Sequence, residues 1–173
     1  RDVLKVGQSM EEVKRMLNDG KVSVDGVVRR SIGWPVGLMD IVELIPLSQA
    51  FRLVPKDRNI LVPVPLSKQT EKNQKLLRVT LRKKIKGEKT QYGFHDGKTL
   101  IANEQYSVGD SCLFDLSNKE VKSHMKLEKG SIVLVTKGEN AGSIGKIEEI
   151  RDGLFSLPKR TVISFGDRSV ELP

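Results

Sequence analysis

The chain has 173 residues, 38% of them hydrophobic and 30% charged, which is enough for one or two globular cores or a few small modules. Thirty Lys and Arg against 22 Asp and Glu leave a formal charge of +8, a surplus that points to an acidic partner, nucleic acid above all, because basic side chains release counterions from phosphates. No signal peptide, no spanning segment and no basic amphipathic helix is readable, so a membrane partner is not expected.

The first segment, up to about Leu44, predicts a helix followed by strands. Ser9 takes the N-cap position and Glu12, three residues on, completes a capping box. Met10, Val13, Met16 and Leu17 fall on one helical face. Gly20 suits the left-handed position just past a helix end. Lys21–Val24 and Val27–Arg30 flank Asp25-Gly26, a strong hairpin signal because both turn residues must take positive φ. Pro35, Gly37 and Asp40 mark a loop in which Trp34 reads as a hydrophobic anchor, and Ile41–Ile45 is the next strand.

The middle segment, from about Pro46, is read as mainly β. Phe51–Val54 and Ile60–Val64 flank a turn over Pro55–Asn59. Pro63 and Pro65 cannot donate to a ladder, which places their strand at an edge. Ser67–Lys75 is read as one or two helical turns. In the strand Leu77–Ile85, alternation puts Leu77, Val79, Leu81 and Ile85 on one face and Arg78, Thr80, Arg82 and Lys84 on the other, with Lys86 following. Tyr92–Phe94, a turn at Asp96-Gly97, Lys98–Ile101, a turn at Val108–Asp110 and Ser111–Phe114 complete the segment. Cys112, the one cysteine, excludes an internal disulfide, fits a reducing cytosol and reads as a buried structural thiol. With only His95 and His124 beside it, a Cys/His zinc site lacks ligands, so neither metal nor cofactor is expected.

The last segment starts near Leu127. Ile132–Val135 reads as a short buried strand, Gly138, Gly142 and Gly145 as hairpin punctuation, Gly153 and Pro158 as breaks, and Thr161–Phe165 as a further strand. Short strands between glycine turns suggest a small barrel. The fold class is therefore mostly β (α+β).

The charge is concentrated. Residues 56–89 hold eleven Lys and Arg against three acids (Asp57, Glu71 and Glu88), a local +8 that equals the surplus of the whole chain. Alternate residues of the basic strand recur at roughly 6–7 Å, comparable to phosphate spacing. The alternative is that lysines protect an edge strand, which needs fewer of them. Lys75, Arg78, Arg82, Lys83, Lys84, Lys86 and Lys89 are the candidate contacts. Lys137 and Lys146 flank a glycine-rich stretch that lacks P-loop spacing, and they are candidates as surface cations only. Catalysis finds no constellation: His95-Asp96 sits at a turn and the carboxylates are scattered. Aromatic content of 5% argues against a stacking platform for single strands.

Three stretches together carry a resemblance. Ser9–Arg30, with Gly20-Lys21-Val22-Ser23-Val24-Asp25-Gly26, resembles the S-four RNA-binding module. Gly130–Ile150, with its three glycines, resembles a KOW motif, part of a small SH3-like barrel. Pro35–Asp40, His95–Lys98 and Tyr106–Asp110 resemble the archaeal and eukaryotic small-subunit ribosomal protein of the four-e family. The order covers nearly the whole chain. The resemblance implies three modules: an S-four-type module over 1–45, truncated at its N-terminus because a first helix is expected ahead of Arg1, a central β domain over 46–126 and a KOW barrel over 127–173. It implies a cytoplasmic, ribosome-bound protein with no enzyme activity, which contacts small-subunit ribosomal RNA and neighbouring ribosomal proteins and is monomeric in isolation. It adds Lys14, Arg15, Lys21, Arg29 and Arg30 as RNA contacts. Two further readings stay open: a KOW-containing transcription or translation accessory factor, and an RNA-binding appendage of an RNA-modifying enzyme.

Overall fold

Helix α1 spans Met10–Asn18 and begins at the predicted N-cap, Ser9, although the returning bond of the capping box falls one residue earlier, on Gln8. Ser9 Oγ accepts from the Glu12 N–H at 3.2 Å, and the Glu12 carboxylate reaches back to the Gln8 N–H at 2.8 Å. The helix ends in a Schellman closure, with Gly20 N–H donating to Leu17 O at 2.9 Å and Lys21 N–H to Met16 O at 3.0 Å. Gly20 sits at φ +72°, where a Cβ would be strained. The apolar face is only partly covered, since no α1 residue is buried.

The structure, a computed structural model, describes residues 3–56, 60–86, 89–153, 159–166 and 168–172. The chain divides into two compact units, Arg1–Val54 with Leu61–His124, and Pro55–Ile60 with Met125–Pro173. In the first unit β1 (Val22–Val24) and β2 (Val27–Val28) form the expected hairpin, and both turn residues have positive φ, 50° at Asp25 and 77° at Gly26. With β3 (Ile41–Leu44), β4 (Gln49–Lys56) and β5 (Ile60–Pro65) they make a five-stranded sheet of order β2-β1-β3-β4-β5. Pro63 and Pro65 therefore do lie on an edge strand. Residues 57–59 of the expected turn, and Pro158, lie outside the described residues.

The expected one or two helical turns form as a 3₁₀ helix over Gln69–Asn73, shorter than the span read for them. Arg52 ties it to β4, donating from one guanidinium nitrogen to Glu71 O at 2.9 Å and Gln74 O at 2.6 Å, while Lys72 pairs with Glu43 at 3.1 Å. A second five-stranded sheet follows, built from β6 (Gln74–Lys84), β7 (Thr90–Phe94), β8 (Thr99–Ala102), β9 (Ser111–Asp115) and β10 (Glu120–Met125), in the order β10-β9-β6-β7-β8. Its core is Leu77, Val79, Tyr92, Phe94, Tyr106, Cys112 and Phe114. Tyr92 and Tyr106 meet edge to face at 5.0 Å, and the Tyr92 hydroxyl donates to Glu104 O at 2.7 Å, so the one polar atom carried in with that ring is satisfied. Burial above all, with Asp110 and Glu104 nearby, pushes the Cys112 thiol up to about 11, which keeps it an inert thiol.

The second unit holds β11 (Ile132–Leu134), β12 (Ile144–Arg151), β13 (Arg160–Ser164) and β14 (Ser169–Leu172), antiparallel in chain order. This sheet is what the described residues contain of the expected small barrel. Of the buried strand expected over Ile132–Val135 only Val135 is buried, since β11 is an edge strand and Ile132 is 78% exposed. Neither β10 nor β14 is foreseen in the sequence reading. Gly145 is fixed by packing, because a Cβ there would lie 2.4 Å from Ile163 Cγ2 and 2.6 Å from Ser164 O. Gly145→Ala is expected to destabilise this unit by about 1–3 kcal/mol, read as a lowered melting temperature in calorimetry. An unchanged transition would mean that β13 yields without strain.

Candidate nucleic-acid interface

β6 changes partners along its length. Gln74–Arg78 pairs with β9, and Val79–Lys84 pairs with β7. Among the described residues, nothing pairs with the other edge of β6 beyond Val79, whose backbone exchanges bonds with Asp110 and Gly109. The second half of β6 therefore runs past the core as one side of an arm, and Thr80–Lys84 are all exposed. Ile85 N–H donates to Lys89 O at 3.0 Å and closes the arm's tip. Arg78, Arg82, Lys83, Lys84, Lys86 and Lys89 are exposed, and none forms an ion pair with a described residue.

The single basic face expected of this strand is not what forms. A bulge between Val79 and Leu81 sets Val79 opposite Phe94, Leu81 opposite Gly93 and Arg82 opposite Tyr92, leaving Thr80 as the extra residue. Directly opposed residues share a face, so Arg82 and Lys84 continue the core side beyond the end of the core. Arg78, Leu81 and Lys83 take the opposite side, and Leu81 is 55% exposed. The arm is thus basic on both faces. The Thr80 hydroxyl donates to Gly93 O at 3.1 Å and secures the bulge. His95 holds the strand just before it, with Nδ1 accepting from the Arg78 N–H at 3.0 Å. Burial above all keeps the His95 ring below its usual range, so it is neutral and free to accept.

Lys75 is a correction. It is fully buried and cannot meet a phosphate. Its ammonium donates to Asp25 at 2.7 Å, Asp40 at 2.5 Å and Asp96 at 2.9 Å, and Lys98 adds bonds of 2.8 Å to Asp25 and 2.7 Å to Asp96. Its place in the alternation with Leu77 and Val79 puts it on the core side, where a bare ammonium would be prohibitive without these partners. Desolvation alone would lower the Lys75 pKa, yet the three carboxylates outweigh it and raise the value. Burial likewise opposes ionisation of Asp96, but bonds from Lys98 and Lys75 hold it at about 2. Asp25 is lowered by the same balance.

The helix–hairpin candidates divide. Arg15 is exposed, whereas Lys14 pairs with Glu11 at 3.4 Å and Lys21 with Asp19 at 2.9 Å, exposed pairs that bind these lysines only weakly. Lys14 and Arg30 come together at an open groove of about 370 Å³ with Leu17, Asn18, Ser31 and Ile32. Arg29 lies with its guanidinium carbon 3.5 Å from the Trp34 ring centroid. The indole, expected to be a hydrophobic anchor of its loop, is 43% exposed. The pair is absent from the sequence reading, and its only signal is the five-residue spacing across a loop. In the second unit Lys137 and Lys146 are both exposed, one in the loop before β12 and one on it.

A capped helix, a two-residue-turn hairpin and a β domain with a basic arm define a class, and residues 3–42 match the model of the S4 domain. Residues 47–121 match that of ribosomal family S4e. The chain belongs to the ribosomal S4e family. It is 40% identical over 176 residues to the small ribosomal subunit protein eS4 of Pyrobaculum islandicum, covering 99% of this chain and 72% of that one. With the eS4 protein of Methanothermobacter thermautotrophicus the identity is 34%, over 96% of this chain and 68% of the other. The crystal structure of the 30S ribosomal protein S4e from Thermoplasma acidophilum superposes with a TM-score of 0.79 at 27% identity, covering 92% of this chain and 80% of that one.

Proposed function

We propose that this chain is a structural constituent of the small ribosomal subunit and holds ribosomal RNA through basic surfaces, chiefly the β6 arm. The observation that carries this reading is the contrast among its cations. Lys75, Lys98 and Lys72 are consumed by buried or half-buried acids, while Arg78, Arg82, Lys83 and Lys84 meet no acid among the described residues. Such charges gain most by displacing counterions from phosphate. A thin arm basic on both faces suits insertion between two backbones of folded RNA better than resting on one. Phosphate contacts of this kind set position and leave specificity to RNA shape.

In this reading the division into modules over 1–45, 46–126 and 127–173 is one of RNA-contacting parts. Arg15, Arg30, Lys137 and Lys146 add contacts outside the arm. The protein is cytoplasmic on the ribosome, monomeric when alone, beside other ribosomal proteins, and it positions RNA without catalysing a reaction. Sucrose-gradient sedimentation of cell extract tests this. The chain is expected in the small-subunit peak at low salt and at the top after a high-salt wash. Finding it at the top at low salt would overturn the reading, and recovery with RNA polymerase instead would support the accessory-factor alternative.

A further inference from the structure

The segment from Val27 to Met39 contains two arginines and no acid. The acids at its two ends, Asp25 and Asp40, are both engaged by Lys75. The segment is therefore a cationic loop whose flanking negative charge is already neutralised. Its only aromatic side chain is Trp34. Arg29 is fixed at the hairpin end by its N–H bond to Val22 O at 3.1 Å, and its guanidinium stands over the indole with Cζ 3.5 Å from the ring centroid. Arg29 Nε is buried without a hydrogen-bond partner among the described residues, so this part of the guanidinium serves the ring contact and no acceptor. A turn sets the ring in place: Gly33 N–H donates to Ser31 Oγ and Trp34 N–H to Ser31 O, both at 3.3 Å. Pro35 then restricts the Trp34 backbone to extended conformations. The result is an indole backed on one side by a cation, held by a turn, and 43% exposed.

We propose that Trp34, backed by Arg29, stacks against one unpaired nucleobase of the bound RNA. This rests on the RNA-binding reading above and adds a contact of a different chemistry, made to a base face and not to phosphate. Charge selects the occupant. A protein neighbour would equally cover an exposed indole, but a loop carrying Arg29 and Arg30 without an acid favours a polyanion, and the part of a polyanion that stacks on indole is a base. With 5% aromatic residues in the chain, the contact is to a single base, not to a run of them.

The chain contains one tryptophan, so selectively excited indole emission reports Trp34 alone. The full chain is titrated with small-subunit ribosomal RNA, following emission and, in parallel, filter retention. Emission is expected to be quenched with the midpoint of binding. Trp34→Ala should weaken binding roughly tenfold, the scale of one stacked base, while leaving the slope of log affinity against log salt unchanged, because no phosphate contact is lost. Trp34→Phe should keep most of the affinity. Binding without quenching, or Trp34→Ala binding as tightly as the parent, would overturn the proposal. So would emission that changes only in the assembled subunit, which would assign the loop to a protein neighbour. A chain that is not retained on the filter at all would remove the RNA reading itself, a failure seen independently of the fluorescence, and the stacking contact would fall with it.

Discussion

Lys75→Met is expected to lower the unfolding free energy of the first unit by about 3–5 kcal/mol at neutral pH, the penalty for removing one partner of a buried charge cluster. Three carboxylates converge within 2.5–2.9 Å of the Lys75 ammonium, and without it Lys98 is the one lysine among the described residues still paired with Asp25 and Asp96. Typical domains hold only about 5–15 kcal/mol in total, so the variant should unfold at a much lower urea concentration, followed by circular dichroism. Adding Asp25→Asn and Asp40→Asn to Lys75→Met should restore part of the loss. Asn is at home in the hairpin turn at position 25, and its side-chain carbonyl at position 40 can still accept the Gly37 N–H that Asp40 now takes at 2.8 Å. The pH dependence separates charge from packing. Asp25 and Asp96 have folded pKa values below the usual carboxylate range, so their contribution is complete above about pH 4 and is lost as pH falls through about 2 for Asp96. Lys75 is raised, so its contribution is complete below about pH 10.4 and lost as pH rises through the folded value. The gap between parent and variant should therefore narrow as pH falls below about 4, over the range in which Asp25 and Asp96 lose that contribution. A gap that stays constant would mean that lost packing, and not lost charge, destabilises the variant.

That cluster also marks where reading from sequence stops. Ser9, Glu12, Gly20 and Asp25-Gly26 act within a few residues of themselves, so caps and a hairpin turn are legible from spacing alone. Pro63 and Pro65 announce an edge strand because the missing donor belongs to the residue itself. Asp25 and Lys75 are 50 positions apart, and Asp25 and Lys98 are 73 apart. Nothing local distinguishes Lys75 from the free lysines after it, except its place in the alternation with Leu77 and Val79. The bulge is hidden for a different reason. Leu77, Val79 and Leu81 alternate perfectly, and the cue that something changes is Gly93 across the pair, where a Cβ would press on Leu81 Cβ at 3.1 Å. β10 carries two apolar positions, Val121 and Met125, four residues apart with Lys, Ser and His between them, too little alternation to signal a strand. Its anchor, His124 against Asp110 at 2.7 Å, is again a tertiary pair.

Neutralising the arm tests the interface more severely than any single change. Arg82→Ala, Lys83→Ala and Lys84→Ala together remove three exposed cations from both faces of the arm, beyond the core and away from Lys75. The fold should persist, since these side chains make no bond to a described residue and replacing exposed residues of this kind typically shifts stability by under about 0.5 kcal/mol. Each phosphate contact contributes close to one unit to the slope of log affinity against log salt. Losing three should flatten that slope by roughly 2–3 and weaken binding to small-subunit ribosomal RNA on the order of a hundredfold near 0.1 M salt. Arg78→Ala alone should flatten it by less than one unit, because Arg78 stands before the bulge, beside the core. The same triple change on the edge-protection reading predicts something else: unchanged RNA affinity and a greater tendency of the open β6 edge to self-associate. Filter binding across a salt series, with sedimentation of the free variant, tells the two apart. An unchanged slope would take the arm out of the interface and leave the helix–hairpin cations, Arg15 and Arg30, as the RNA-binding surface of the first unit.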